Sequence, residues 1–212
     1  MKVNKLILSL LALSLAGTAL IYGNLPDQIA LHFNLRGEVD RWGSRPSVWL
    51  TSALPLGVYL LMLFAPRLDP RKDSYARHMR GFSILANAIT LFLIGLSWVT
   101  ILFSMGFNLS IQVYVLSGIG ILFIVIGNHL PNARQNYTFG IRTPWTLADE
   151  RSWTQTHRVG GIGFVATGFI AIAAAWLSGL AAFLIFFSTL VLLIAGLFVY
   201  SYIIFKQQRS EG

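Results

Sequence analysis

The chain has 212 residues, of which 55% are hydrophobic and only 11% are charged, and its mean hydropathy is +0.66. Soluble domains carry charge on roughly a quarter of their residues, so this composition excludes a water-soluble fold and predicts an integral membrane protein. The absence of cysteine excludes disulfides, thiolate metal ligands and cysteine nucleophiles. The net charge of +8 has two possible origins, nucleic-acid binding and membrane topology.

Six apolar segments follow one another, each close to the roughly 20 residues that span a hydrocarbon core. None contains Asp, Glu, Lys, Arg or His, and they cover residues 6–23, 48–65, 82–103, 111–128, 162–178 and 181–205. The pattern predicts an all-α, polytopic membrane protein with six transmembrane helices. The first segment follows Lys2 and Lys5, as a signal peptide would. It lacks a convincing small-residue cleavage site before Pro26, so we interpret it as a retained helix.

Lysine and arginine concentrate in alternate connecting segments, which predicts the orientation of the chain in the membrane. Of the sixteen such residues, thirteen lie in the two terminal segments and the second and fourth loops, and three lie in the first loop. Because basic loops stay in the cytoplasm, we expect both termini and residues 127–161 there, and residues 24–47 outside. Topology thus explains most of the basic excess, and we expect no direct contact with nucleic acid.

The spans divide into two predicted units. Residues 1–80 form a two-helix unit with the external loop 24–47, and residues 81–212 form a four-helix unit with the cytoplasmic loop 127–161. Pro55 is expected to kink the second span, and Asn87 to hydrogen-bond a neighbouring helix. Small residues at the start of the fifth span predict close helix packing rather than a phosphate-binding loop, since no strand precedes them. These are Gly160, Gly161, Gly163 and Gly168.

The segment 127–161 is longer and more polar than a turn between membrane helices requires, and it contains four arginines and two tryptophans. Thr146, followed by Asp149 and Glu150, is a helix-start signature that predicts a helix over about 147–158. Four residues of that helix recur at three- and four-residue spacing and are expected to share one face. They are Glu150, Trp153, Thr154 and His157.

Two interpretations of the segment 127–161 remain open, an interfacial cap that joins two spans and a surface for a partner. Trp145 and Trp153 suit the headgroup layer as anchors. The arginines suit lipid phosphates or the carboxylates of a partner. His157 near Glu150 is compatible with an acid–base couple, although a structural hydrogen bond is the commoner role. The chain shows no catalytic motif and no histidine pair with metal-ligand spacing, so we expect no catalytic residues, cofactor or metal.

The external loop 24–47 is the second polar island, and it mixes aromatic and basic side chains. Its candidate site residues are His32, Phe33, Arg36, Arg41 and Trp42. One interpretation is a solvated loop whose charges partly neutralise one another. The other is a surface on which an amphipathic peptide docks, with its carboxylates against the arginines.

The segment 127–161 also carries a family resemblance. Its core is GIRTPWTL, residues 140–147, of which we single out Gly140, Arg142, Thr143, Pro144, Trp145 and Thr146. The flanking positions of the pattern that we also single out are Asn128, Pro131, Asn136, Glu150, Trp153, His157 and Arg158. The pattern resembles the SdpI family, bacterial multi-pass proteins named for immunity to the sporulation-delaying-protein toxin. Residues 25–37 resemble a domain of unknown function that often precedes it.

The resemblance implies a non-enzymatic, six-span protein of the bacterial cytoplasmic membrane that protects the cell from a secreted peptide toxin. In the name-giving member it also implies that a cytoplasmic transcriptional repressor is held at the membrane. The expected partners are therefore the bilayer, a peptide toxin and a repressor. Two alternatives remain from the residues, a small-solute or lipid transporter and a membrane enzyme at the cytoplasmic face. Charge-free spans disfavour a proton-driven pump.

Overall fold

The computed structural model describes residues 3–64, 79–137 and 139–211. The helices and strands in chain order are α1 (Lys5–Ile21), β1 (Gln28–Phe33), β2 (Val39–Ser44), α2 (Val48–Phe64), α3 (Met79–Ser104), α4 (Ile111–His129), α5 (Pro144–Ala148), α6 (Glu150–Ala174) and α7 (Gly179–Glu211). Six of these helices are long and apolar enough to cross a membrane, which confirms the predicted spans. Four basic residues of the second loop lie outside the described residues, namely Arg67, Arg71, Lys72 and Arg77.

Side-chain caps determine where several helices begin. Asn4 accepts from the N–H of Leu6 at the start of α1, and Ser110 accepts from that of Val113 at the start of α4. Each such cap contributes about 1 kcal/mol by satisfying an N–H group that has no partner within the helix. The helix α2 runs through Pro55, and the kink expected there stays a prediction.

The helix predicted over 147–158 and the fifth span are parts of one helix, α6, and its start was predicted wrongly. Thr143 begins the short helix α5 through a capping box with Thr146, so Thr146 lies inside a helix rather than before one. At Asp149 the backbone is extended (φ −141°, ψ 129°), which ends α5. Its carboxylate accepts from the N–H of Ser152 at 2.5 Å and caps α6.

The connections lie at two opposite ends of the bundle. At one end, the N–H of Ala30 in β1 donates to Ser104 Oγ at 3.1 Å, and Gln112 Nε2 donates to the carbonyl of Ala175 at 3.0 Å. At the other end, the N–H of Asn4 donates to the hydroxyl of Tyr59 at 2.9 Å. The segment 127–161 lies at this second end, which the basic residues predict to be cytoplasmic. We call residues 127–161 the inner cap and residues 24–47 the outer cap.

The outer cap is a β-hairpin, which the sequence analysis did not predict. The strands β1 and β2 pair antiparallel, with Gln28 opposite Ser44 and a register shift after Ala30. Ile29 of β1 is fully buried, because it packs with Leu25, Val48 and Ile101 in a small core. The alternating apolar residues of β1 drive this packing. The loop is therefore a folded lid on the bundle and only its outward face is solvated.

Hydroxyl groups make the polar contacts between the first three spans. The hydroxyls of Thr18 and Ser52 lie 3.2 Å apart, and the indole N–H of Trp98 donates to Ser14 Oγ at 2.9 Å. The Oδ1 of Asn87 is buried without a hydrogen-bond partner among the described residues, and the predicted hydrogen bond from Asn87 to a neighbouring helix stays a prediction. The helix α3 packs against α2 on one side and α4 on the other. The division into units 1–80 and 81–212 stays a prediction.

Two pairs of glycines bring α4 and α6 into backbone contact, as was expected of the small residues in the fifth span. A Cβ built on Gly127 would lie 2.5 Å from the carbonyl oxygen of Gly161, and one on Gly161 would lie 2.7 Å from that of Gly127. Gly120 and Gly168 repeat the arrangement at 2.6 and 2.5 Å. Since real Cβ contacts are not that short, only glycine permits this approach of two membrane helices.

We predict that Gly168→Ala lowers the free energy of unfolding in detergent by about 1–3 kcal/mol, because the new methyl group must push α4 away. Gly196→Ala is the matched control, since a Cβ on Gly196 in α7 meets nothing within 4 Å. Denaturant titrations of the purified full chain would measure both. Equal stability of the two variants would contradict the close packing of α4 and α6.

Candidate functional site

The centre of the inner cap is a buried stack of Trp153 on His157, whose ring centroids are 4.0 Å apart. The indole N–H of Trp153 donates to the carbonyl of Ala133 at 2.6 Å. His157 is 0% exposed, and its Nδ1 lies 2.8 Å from the carbonyl oxygen of Trp153 while the N–H of Ile141 points at Nε2 from 3.0 Å. A carbonyl only accepts and an amide N–H only donates, so the ring is neutral with its proton on Nδ1. We call these contacts the Trp–His clasp.

Gly140 allows the chain to pass directly over the Trp–His clasp. Its φ is +107°, a conformation that L side chains rarely adopt. A Cβ at this position would also collide with Nε2 of His157, and it would lie 3.2 Å from the Trp153 ring. The glycine of the GIRTPWTL core is therefore required by geometry.

The threonines of the GIRTPWTL core join the inner cap to α7. Thr143 Oγ1 donates to the hydroxyl of Ser201 at 3.0 Å, and Thr146 Oγ1 donates to the carbonyl of Ile141 at 2.7 Å. Ser152 of α6 donates to the carbonyl of Ser201 at 3.0 Å. Thr143, Thr146, Ser152 and Ser201 are all buried. Their hydrogen bonds therefore lock α5, α6 and α7 together where water is excluded.

Asn136 fixes the turn that precedes the GIRTPWTL core. Its Oδ1 accepts from the N–H of Phe139 at 2.8 Å, and its Nδ2 donates to the carbonyl of Arg134 at 2.8 Å. The neighbouring Gln135 donates to the carbonyls of Thr146 and Leu147 at 2.7 and 2.8 Å. These amides satisfy backbone groups that no helix or strand would satisfy.

The structure separates the four residues that were predicted to share a face of α6. Trp153 and His157 point into the protein, whereas Glu150 and Thr154 are exposed. Trp153 is only 1% exposed, so its predicted role as a headgroup anchor is wrong. Trp145 is half-buried against the rings of Phe198 and Tyr202 on α7. The inner cap draws Trp153 inward because its N–H group and its ring complete the core of the cap.

His157 and Glu150 do not form the acid–base couple that the sequence left open. Both ring nitrogens of His157 are engaged, while the Glu150 side chain is 71% exposed and lies 3.8 Å from Arg134. Arg142 donates to the carbonyl of Tyr137 at 2.5 Å. The described ranges contain no group of three or more His, Asp or Glu placed to hold a metal ion.

The exposed surface of the inner cap is polar and basic. Its predicted site residues at this surface are Asn128, Pro131, Gly140, Arg142, Pro144, Glu150 and Arg158. Asn128 satisfies its own helix, since its amide donates to the carbonyl of Ile124 at 2.9 Å. The arginines and Glu150 extend away from the buried threonines and the Trp–His clasp. A partner of the inner cap would therefore meet arginine side chains rather than the aromatic core.

Most of the predicted residues of the outer cap lie on the solvated face of the hairpin. His32 pairs with Asp40 at 2.6 Å, and Arg36, Arg41 and Trp42 are exposed. Phe33 is the exception, since its ring packs edge-on against Phe103 of α3 with centroids 5.2 Å apart. Two arginines therefore remain available on the outer surface beside a hairpin whose inner face is apolar.

Beneath the hairpin lies a cleft of about 430 Å³, which we call the outer cleft. Its walls come from five elements, represented by residues 30–35 around β1, Leu54 of α2, Leu96 of α3, Leu116 of α4 and Phe183 of α7. Most of the lining is apolar, and the volume is typical of ligand sites. Sequence reasoning missed this cleft because its walls are far apart in the chain and each looks like an ordinary lipid-facing leucine or phenylalanine.

These elements define a polytopic helical membrane protein with a folded polar cap at each end. The model of the SdpI/YfhL protein family matches residues 132–201, and that of a domain of unknown function, DUF1648, matches residues 9–55. The chain is 27% identical over 179 residues to the immunity protein SdpI of Bacillus subtilis (strain 168), which covers 84% of each chain. The predicted relationship to the SdpI family is thereby confirmed. No solved structure matches the chain.

Gly140→Ala should lower the free energy of unfolding more than Gly106→Ala does. Both glycines have a positive φ, +107° and +93°, so each alanine costs about 1–2 kcal/mol of backbone strain. Only the Cβ at residue 140 also collides with His157, which should add about 1–3 kcal/mol. Denaturant titration of both variants measures the difference. An equal loss in the two would show that the Trp–His clasp tolerates a larger residue.

Proposed function

We propose that this protein gives its bacterial host immunity to a secreted antimicrobial peptide, and that it acts in the cytoplasmic membrane. The observation that carries this proposal is the outer cleft, an apolar cavity beneath a folded hairpin at the end predicted to face outside. The similarity to an immunity protein over most of both chains supports the same function.

The outer cleft has the chemistry that an amphipathic peptide toxin requires. A peptide that acts on membranes has an apolar face, which would lie against Leu54, Leu96 and Phe183. Arg36 and Arg41 on the exposed hairpin would meet its carboxylates, which favours encounter as well as orientation. Capture of the toxin in the outer cleft would keep it out of the surrounding bilayer.

The inner cap would serve a second task, the binding of a cytoplasmic repressor. Arg142 and Arg158 are exposed there, and an acidic surface on a repressor would complement them. Toxin would influence such binding only if the arrangement of helices that holds toxin more tightly also presents the inner cap differently. The buried hydrogen bonds from the inner cap to α7 would carry such a change, since α7 also lines the outer cleft.

The transport and enzyme alternatives have weaker support. A second cleft lies at the opposite end of the bundle. It shares no lining residue with the outer cleft, and neither cleft is lined by Asn87. Gln112, which would line a solute path, donates its amide to the carbonyls of Ala175 and Leu177. The couple of His157 and Glu150 that an enzyme at the cytoplasmic face would use is not formed, because both ring nitrogens of His157 are engaged. We therefore favour a binding function without catalysis.

The proposal is tested by producing the full chain in a Bacillus subtilis strain that lacks its own SdpI and adding the sporulation-delaying-protein toxin. We expect the wild-type chain to raise survival. Leu54→Trp, which fills the outer cleft, should reduce protection by about tenfold, the effect of losing one well-packed apolar contact.

Leu50→Trp is the matched control for this test, because Leu50 lies one turn away on α2, is 75% exposed and does not line the outer cleft. Its protection should equal that of wild type at the same membrane level of protein. Failure of the wild-type chain to protect would contradict immunity to this toxin. Protection by wild type with equal losses in both variants would instead contradict the outer cleft as the site.

A further inference from the structure

A second cleft, of about 500 Å³, lies at the end of the bundle that carries the inner cap, and we call it the inner cleft. We infer that it binds one phospholipid with an anionic headgroup, taken from the leaflet at that end of the bundle. This inference does not depend on the immunity proposal, because the two clefts lie at opposite ends and share no residue.

The walls of the inner cleft are suited to an acyl chain. They are formed by membrane-spanning helices together with the turn that leads into the GIRTPWTL core, and the larger apolar residues are Phe82, Leu85, Ile126, Leu130, Ile141 and Phe164. Such walls give an acyl chain surroundings as apolar as the bilayer core, so the chain can leave the leaflet without contacting water. The volume lies within the range of sites that bind small ligands.

The polar groups of the inner cleft suit a phosphate. Arg80, His129 and Asn132 line it, and no aspartate or glutamate does. Arg80 forms no ion pair with a carboxylate among residues 3–64, 79–137 and 139–211. An arginine that forms no ion pair within the described part of the chain and lies beside an apolar cleft at the membrane end is suited to pair with a lipid phosphate.

The position of the inner cleft selects a lipid over a soluble anion. Arg80 and Asn132 lie at the ends of two membrane spans, the level at which headgroups lie. The apolar walls extend from there along α3, α4 and α6. Inorganic phosphate would leave these walls uncovered, whereas a phospholipid satisfies the arginine and the walls together. This is also the end predicted to be cytoplasmic, where anionic lipids attract basic residues.

Lipid in the inner cleft would also stabilise the start of the GIRTPWTL core. Phe139, Gly140 and Ile141 form one wall, and the N–H of Ile141 donates to His157 in the Trp–His clasp. Phe139 meanwhile packs on Phe82 of α3, with ring centroids 5.7 Å apart. A bound lipid would hold this wall against α3 and α4, so the folded state should become more stable as the site fills.

The test uses the purified full chain in a neutral detergent, titrated with dioleoylphosphatidylglycerol, with dioleoylphosphatidylcholine, or with inorganic phosphate. Native mass spectrometry counts the bound lipid and the melting temperature reports its effect on the fold. We expect one tightly held phosphatidylglycerol, bound about fivefold more strongly than phosphatidylcholine, since one basic residue near the headgroup gives roughly that preference. Inorganic phosphate alone should neither bind nor raise the melting temperature.

Arg80→Gln should remove the preference for phosphatidylglycerol. Arg158→Gln is its matched control, because Arg158 is exposed at the same end but does not line the inner cleft. Both side chains are exposed, so both variants should keep the lipid-free melting temperature of wild type.

Three outcomes would overturn the inference. Equal binding of phosphatidylglycerol and phosphatidylcholine to wild type would exclude headgroup selection. An equal loss in the two variants would show that general surface charge explains the preference. Full stabilisation by inorganic phosphate would identify a soluble anion as the ligand.

Discussion

The Trp–His clasp is the interaction on which the inner cap depends. A long polar segment between two membrane helices must pair every buried N–H and carbonyl group, because unpaired groups are costly away from water. Trp153 pairs with the carbonyl of Ala133 and His157 with the N–H of Ile141. These two backbone groups lie on either side of the turn at Asn136. Gly140 leaves room for the stack, and Thr143, which caps α5, donates a hydrogen bond to Ser201 of α7. Much of the GIRTPWTL core and its flanking pattern is therefore explained by folding, whereas the side chains of Arg142 and Arg158 are exposed.

Contact between α4 and α6 sets the positions of the Trp–His clasp and the inner cleft. The two glycine pairs let these helices meet backbone to backbone, which brings the end of α4 under the start of α6. The Trp–His clasp spans this junction, and the inner cleft opens beside it. Packing of small residues, hydrogen bonding of the inner cap and the shape of the inner cleft are thus parts of one arrangement. A change in one would be expected to reach the others.

The two ends of the protein have the same general arrangement but are built from different elements. Each has a folded polar cap over an apolar cleft, and each cap offers arginines at its surface. The outer cap is a hairpin whose buried strand lines its cleft, whereas the inner cap contributes a glycine-containing turn. The helix α7 lines the outer cleft and also hydrogen-bonds the inner cap. It is the physical connection through which an event outside the cell would affect a cytoplasmic partner in our proposal.

The sequence alone determined the membrane class, the six spans and the resemblance to the SdpI family, because length, apolarity and a long specific motif are local properties of the chain. It also identified Thr143 to Thr146 as part of an important segment, although not which threonine caps a helix. Only the tertiary structure decided that Trp153 and His157 are buried, that residues 28–44 pair as strands, and that two clefts exist. These outcomes depend on which distant residues meet. A tryptophan that suits the headgroup layer suits a protein core equally well. Trp153 lies in the core because the fold places the carbonyl of Ala133 and the ring of His157 beside it.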